Sequence, residues 1–112
     1  MDSLNRQHHS AVMQVLQDYA DFLGQDEHTQ MVIITDRDHD RYLLVEMGWQ
    51  GEERIYGTLI HIDIVDDKVW IQQDGTESGV AEDLLNAGVP KSQIVLGFKS
   101  AQRRQITDYA IA

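Results

Sequence analysis

The first 23 residues carry apolar side chains at spacings of three and four, which is the period of an amphipathic α-helix. Asp2 or Ser3 suits the N-cap, because a side-chain oxygen there accepts an orphan backbone N–H. The pattern therefore predicts one long N-terminal helix that buries a single stripe. The stripe comprises Leu4, His8, Ala11, Val12, Val15, Leu16, Tyr19, Phe22 and Leu23.

The central part of the chain is rich in β-branched and apolar runs that are separated by short polar turns, which predicts strands. A two-residue turn at Asp66-Asp67 sets the register of the last hairpin, so that Asp63 opposes Trp70. One face of this hairpin is aliphatic. The other face carries Leu59, His61, Asp63, Trp70 and Gln72. The four predicted strands are Met31–Thr35, Tyr42–Met47, Arg54–Val65 and Lys68–Gln73.

Apolar positions over residues 80–87 predict a second helix, which Thr76 or Ser78 caps. A further apolar run, Ile94–Phe98, follows it. No proline- or serine-rich linker divides the chain, so residues 1–112 are expected to form one domain. The predicted fold class is α+β: a four-stranded antiparallel β-meander with the N-terminal helix and the second helix packed mainly on one face.

The amino-acid composition narrows the range of functions that the protein can have. Hydrophobic residues make up 42% and charged residues 25%, which is typical of a folded domain. The chain has no cysteine and no apolar run long enough to cross a bilayer, and its start lacks a signal peptide, so we expect a cytoplasmic protein without membrane contact. The net charge of −10 opposes direct DNA binding, which needs Lys and Arg against phosphates.

No motif for a cofactor, a metal ion or a catalytic group stands out. Asp36, Asp38 and Asp40 alternate as in a calcium loop, but Met47 stands where the bidentate glutamate belongs. His8 and an adjacent histidine precede the helical stripe, and neighbouring helix residues point about 100° apart, so the pair is unsuited to one ion. We therefore predict no catalytic residue, no metal site and no cofactor.

His61 and Asp63 share one face of a strand, which suits either a general base or a hydrogen-bonded patch that docks a partner. Trp49, Tyr56 and Trp70 are candidates for stacking on single-stranded nucleic acid, but the negative charge favours packing or an interface. The predicted partner-binding residues are Trp49, Tyr56, His61, Asp63, Trp70 and Gln72.

Two of the predicted strands, Met31–Thr35 and Tyr42–Met47, are apolar on both faces. A strand of that kind needs cover on both sides of its sheet. We therefore predict either a second layer within the chain or a homodimer, and we favour the homodimer.

Three segments resemble the XisI family, the fdxN element excision controlling factors found largely in cyanobacteria. They are GWQGEERIYG at residues 48–57, IHIDI at 60–64 and KVWIQQDGTE at 68–77. The resemblance continues through the second helix and covers nearly the whole chain. It implies control of a programmed DNA rearrangement by a non-enzymatic factor, which works beside a separate site-specific recombinase and a companion protein, XisH, with a nuclease-like fold.

Two alternatives stay open. The first is an acidic inhibitor or antitoxin-like partner of the nuclease-fold companion, with carboxylates that imitate phosphates. Its candidate residues are Asp36, Asp38, Asp40, Glu52 and Glu53. The second is a small hydrolase that uses His61 with Asp63.

Overall fold

The computed structural model describes residues 3–24 and 26–112, with side chains from residue 6 onward. The predicted cap at Asp2 or Ser3 and the predicted contact of Leu4 lie outside these described parts. The elements are α1 (Ser3–Leu23), β1 (Thr29–Asp36), β2 (Arg41–Gln50), β3 (Glu53–Val65), β4 (Lys68–Asp74), α2 (Val80–Asn86), a 3-10 turn (Lys91–Gln93), β5 (Ile94–Leu96) and α3 (Ala101–Arg104).

The amphipathic stripe of α1 packs on one face of the sheet, as its period predicts, and meets β1, β2, β3 and α2. Phe22 is the exception, because its side chain is 74% exposed although the pattern predicts its burial. Val12 and Leu16 are fully buried there, in the same core cluster as Ile60 and Ile62 of β3. Leu84 of α2 enters the same core. Within the described residues, no helix is both long enough and apolar enough to cross a membrane.

The predicted antiparallel meander is confirmed for β1 to β4, which are neighbours in chain order. The predicted hairpin register is also confirmed, because Asp63 opposes Trp70. Asp66 and Asp67 adopt φ of 51° and 66°, the left-handed pair that a tight two-residue hairpin requires. Backbone conformation at these two residues therefore sets which side chains of β3 and β4 face the core.

The strand count differs from the prediction, since the sheet has five strands and is mixed. Ile94–Leu96 forms β5, which pairs in parallel with β4. A parallel neighbour needs a crossover connection, and α2 with the following turn supplies it. All three residues of β5 are buried, as expected for an apolar run that is covered on both faces.

The cap of α2 is shared between Thr76, which was predicted, and Asp74, which was not. The Asp74 carboxylate accepts hydrogen bonds from the backbone N–H of Thr76 (2.9 Å) and of Val80 (2.8 Å). The Thr76 hydroxyl accepts one from the backbone N–H of Gly79 (3.1 Å). Ser78, the other predicted cap, instead contacts Tyr19 of α1. Asp74 therefore ties the end of β4 to the start of α2.

A β-bulge between β2 and β3 changes which residues of β3 share a face of the sheet. The pairing of β2 with β3 shifts at Leu44/Val45, so Leu43 opposes His61 whereas Met47 opposes Tyr56. Regular alternation alone would put Tyr56 and His61 on opposite faces. The bulge brings both onto the face turned away from α1, which we call the open face. Leu59, predicted beside His61, packs against the α1 core instead.

Candidate functional site

The open face contains all six predicted partner-binding residues, but they fall into three separate groups along it. Trp49 and Tyr56 lie where β2 meets β3 near their shared turn. A hydrogen-bonded group lies in the middle of β3, and Trp70 lies on β4. The middle group is His61, Asp63 and Gln72.

Trp49 and Tyr56 form an exposed aromatic pair around an arginine. Their exposed fractions are 54% and 66%, which is high for such large rings. Arg54 opposes Trp49 across the strands, and its guanidinium carbon lies 5.2 Å from the Trp49 ring centroid and 5.8 Å from that of Tyr56. Cation–π contacts of this length hold the rings in place without covering them. The pair is therefore a preformed, accessible contact surface.

The side chains of the middle group form hydrogen bonds with one another. His61 Nε2 lies 2.8 Å from one carboxylate oxygen of Asp63, and Gln72 donates to the other at 3.2 Å. Both Asp63 oxygens are thus engaged by neighbouring side chains, and its side chain is only 14% exposed. This arrangement suits a polar patch that holds β3 to β4 more than a base that waits for a substrate.

Trp70 is covered by the chain's own end. The Arg104 guanidinium carbon lies 5.4 Å from its ring centroid. Arg104 is fixed in turn by hydrogen bonds to the carbonyl oxygens of Lys99 and Ile111, both at 2.7 Å. A Cβ added to Gly97 would lie 2.7 Å from the Gln72 side-chain oxygen and 3.1 Å from the Trp70 ring, so a larger residue there would have to displace both side chains. Trp70 therefore anchors the segment 97–112 and offers little surface to a partner.

The open face also carries an apolar strip on β1 and β2 that was not among the predicted site residues. Ile34 is 45% exposed, whereas Val45 is buried although it lies outside the α1 core. The strand register places the members side by side on β1 and β2. With the aromatic pair, the apolar strip comprises Val32, Ile34, Leu43, Val45, Met47, Trp49 and Tyr56. The sequence signal was the apolar character of both faces of these strands.

The carboxylates that suggested phosphate mimicry are not brought together. Asp36, Asp38 and Asp40 lie where β1 leads into β2, whereas Glu52 and Glu53 lie where β2 leads into β3, at the other end of β2. The ten residues of β2 separate the two groups by roughly 30 Å. Asp36 is occupied locally, since it accepts from the backbone N–H of Asp38 (3.1 Å). The five residues therefore form no continuous row.

No group of three His, Cys, Asp or Glu side chains is arranged to hold a metal ion in residues 3–24 and 26–112. The two adjacent histidines turn to different partners. His8 Nε2 lies 2.9 Å from the carbonyl oxygen of Asp67, and His9 Nδ1 lies 2.9 Å from the Tyr42 hydroxyl. The two rings therefore point to different parts of the fold.

A buried polar cluster at the start of α1 was missed by the sequence reasoning. Tyr42 has no exposed surface, and its hydroxyl donates to Asp40 at 3.0 Å. Because that proton is committed, His9 Nδ1 is the donor to the Tyr42 oxygen. Burial, and next the charge of Arg37, lower the pKa of His9. No local motif marks the cluster, since the β1–β2 turn meets α1 only in three dimensions.

Alkaline pH should weaken the fold through Tyr42. Burial first, and then the hydrogen bond to Asp40, raise the pKa of Tyr42 to about 12. An unfolded tyrosine ionises near pH 10, so the unfolded chain loses its proton first and stability falls as pH rises through this window. From about pH 9.5 to about pH 11.5, we expect the urea midpoint to fall more steeply for the wild type than for Tyr42→Phe. Equal slopes would contradict this assignment.

Comparison with known proteins identifies the family of this chain. The sequence matches the family described as XisI protein over residues 1–111. The chain belongs to the XisI family. A crystal structure of a XisI-like protein from Anabaena variabilis superposes with a TM-score of 0.88 at 38% identity, covering 98% of this chain and 100% of that one. No curated protein matches the chain.

A second solved structure has a functional name. It is the fdxN element excision controlling factor XisI from Anabaena variabilis, with a TM-score of 0.83 and 27% identity over 98% of this chain and 100% of that one. The fold of these two relatives covers 98% of the present chain. The predicted family and the predicted α+β class are therefore confirmed.

Proposed function

We propose that this XisI-family chain is a cytoplasmic, non-enzymatic controlling factor for the site-specific excision of a DNA element, and that it acts through protein partners. Family membership and the name of the 27%-identical relative support the role in excision control. The observation that carries the mode of action is the open face, where Trp49 and Tyr56 stay exposed beside the apolar strip. Large exposed aromatic residues on such a strip are typical of protein interfaces.

Direct contact with DNA is disfavoured by charge. The chain carries 19 Asp and Glu against 9 Lys and Arg. Duplex binding draws its affinity from cations that displace counterions, so a molecule of net charge −10 is repelled by the phosphates. A separate recombinase therefore cuts and joins the DNA in this proposal, and the chain influences it indirectly, together with a XisH-like companion.

A second copy of this chain is the occupant that we propose for the open face. Two molecules of charge −10 repel each other, so they can approach only through a surface that is close to neutral. The open face meets this condition, because Arg41 lies between Asp36 and Asp63 on the neighbouring strands and Arg54 lies among the aromatic rings. A homodimer formed there would bury the apolar strip.

Replacing the aromatic pair should separate the dimer and impair excision. We expect Trp49→Ser with Tyr56→Ser to weaken self-association at least tenfold in sedimentation equilibrium, since aromatic anchors dominate interface energy. The matched control is Phe22→Ser, an exposed aromatic residue on the opposite side of the molecule (74% exposed), which should leave self-association unchanged. A wild type that stays monomeric at 100 times its concentration in the cell would contradict the homodimer.

The same variants test excision control in the host that carries the gene. Deleting the gene should change the frequency of the excised circle in a junction PCR, and the wild type should restore it. We expect His61→Ala to restore it as well, and the double aromatic variant to fail. A folded His61→Ala protein that fails to complement would instead favour the hydrolase alternative with Asp63.

A further inference from the structure

A groove of about 440 Å³ runs between α1 and α2, on the helical side of the molecule that faces away from the open face. Val15 and Tyr19 of α1 form its apolar floor, and Asp18 lies on its rim. Ser78 and Asp83 line the α2 side. The open face uses none of this surface.

The floor of the groove is held rigid by hydrogen bonds between its two walls. The Tyr19 hydroxyl donates to Asp83 at 2.7 Å and lies 2.7 Å from the Ser78 hydroxyl. Burial, and next the hydrogen bond to Asp83, raise the pKa of the Tyr19 hydroxyl, so the hydroxyl keeps its proton at neutral pH. A preformed groove of this kind loses little entropy when a partner enters it.

Phe22 gives the groove an exposed apolar edge. Its side chain is 74% exposed, and it lines both this groove and an adjoining one of about 510 Å³. The adjoining groove continues over Leu23, Met31 and Leu59. An aromatic ring between two apolar depressions is the usual form of an anchor for an amphipathic helix.

The charge around both grooves has one sign. Residues 7–36 and 69–90 supply the lining of the first groove and, apart from Glu46 and Leu59, that of the second, and these stretches contain nine Asp and Glu but no Lys or Arg. Asp18 and Asp83 face the first groove, and Glu46 and Glu77 face the second. An apolar site with such a rim repels acidic segments and attracts basic ones.

We propose that the α1–α2 groove docks a basic amphipathic segment of a partner protein, with an apolar side chain against Phe22 and Tyr19 and its cations against the acidic rim. The inference rests on the proposed function in one respect, namely that the chain acts through protein contacts. The groove and the open face lie on opposite sides of the sheet, so a dimer formed through the open face keeps both grooves accessible. Such a dimer presents two docking sites for basic segments.

Three labelled peptides test the groove with the full-length chain. The probe is a 16-residue peptide of leucine and lysine with leucine at helical spacing. One comparison peptide replaces each lysine with glutamate, and the other replaces each leucine with serine. By fluorescence anisotropy we expect the leucine–lysine peptide to bind at least tenfold more tightly than either comparison, and its affinity to fall as salt rises.

Variants locate the binding. We expect Phe22→Ser to weaken binding of the leucine–lysine peptide about tenfold and Asp18→Asn to weaken it severalfold, with unchanged thermal unfolding because both side chains are exposed. Trp49→Ser, which alters the open face, should leave the affinity unchanged. Equal affinity for the wild type and Phe22→Ser would show attraction by overall charge alone and would overturn the groove.

The two proposals fail separately. If the peptide binds as expected but deleting the gene leaves excision unchanged, the groove stands and excision control falls. If deletion changes excision but Phe22→Ser binds the peptide like the wild type, excision control stands and the groove falls. Each result therefore contradicts only one of the two.

Discussion

Gly48→Ala is expected to lower the free energy of unfolding by about 2–3 kcal/mol, the upper range for inserting a methyl group into filled space. A Cβ at Gly48 would lie 2.1 Å from the carbonyl oxygen of His28 and 2.9 Å from the Cα of Thr29. Both are backbone atoms, so the start of β1 must move to make room. Urea unfolding followed by circular dichroism measures the loss.

Gly57→Ala is the matched control, because it is the same substitution in the adjacent strand. A Cβ at Gly57 meets no atom within 4 Å, and we expect a change within about 0.5 kcal/mol. Equal stability of the two variants would contradict the close approach of Gly48 to the start of β1. The displacement of the start of β1 should also reach the open face, since the Trp49 backbone N–H donates to the carbonyl oxygen of His28 at 3.2 Å.

Asp74→Ala is expected to cost about 2–4 kcal/mol, because it removes a charged acceptor that serves several donors at once. Its carboxylate accepts from the Thr76 hydroxyl (2.6 Å) in addition to the backbone N–H groups of Thr76 and Val80. Gly79, at the N-cap of α2, supplies no side-chain cap. Asp74 is therefore the residue that fixes where α2 begins.

Two comparisons make the Asp74 prediction specific. Glu77→Ala removes an exposed carboxylate from the same loop and should be nearly neutral. Asp74→Asn keeps one acceptor oxygen and should fall between the wild type and Asp74→Ala. Because α2 forms one wall of the groove, Asp74→Ala should also weaken binding of the leucine–lysine peptide. Unchanged stability of Asp74→Ala would refute its role at the helix start.

Much of the fold could be predicted because its signals are local. The period of apolar residues predicted α1, and the Asp66-Asp67 turn predicted the register that places Asp63 opposite Trp70. The fifth strand was not predicted, since a three-residue run such as Ile94–Leu96 has no period of its own. It becomes a strand only because α2 returns the chain to the edge of β4.

The candidate site was predictable in its residue types but not in its grouping. Alternation placed His61 and Asp63 together, and the structure keeps them 2.8 Å apart. Tyr56 lies on the same face of the sheet as His61 only because of the bulge, and no residue type in the strand predicts that bulge. Trp70 was expected at an interface, but Arg104, 34 positions further along the chain, covers its ring. Contacts between segments that are distant in sequence therefore decide which of the predicted surface residues remain exposed.

Sequence alone determined the charge, the missing cysteine chemistry, the amphipathic helix and the apolar character of both faces of β1 and β2, because these are properties of composition and short spacing. It also contained two stretches without Lys or Arg, at residues 7–36 and 69–90. Only the tertiary structure brought these stretches together on either side of one groove, and only the strand pairing placed Arg41 between Asp36 and Asp63. Surface electrostatics depend on distances in space, and the folding of the sheet under α1 and α2 sets those distances.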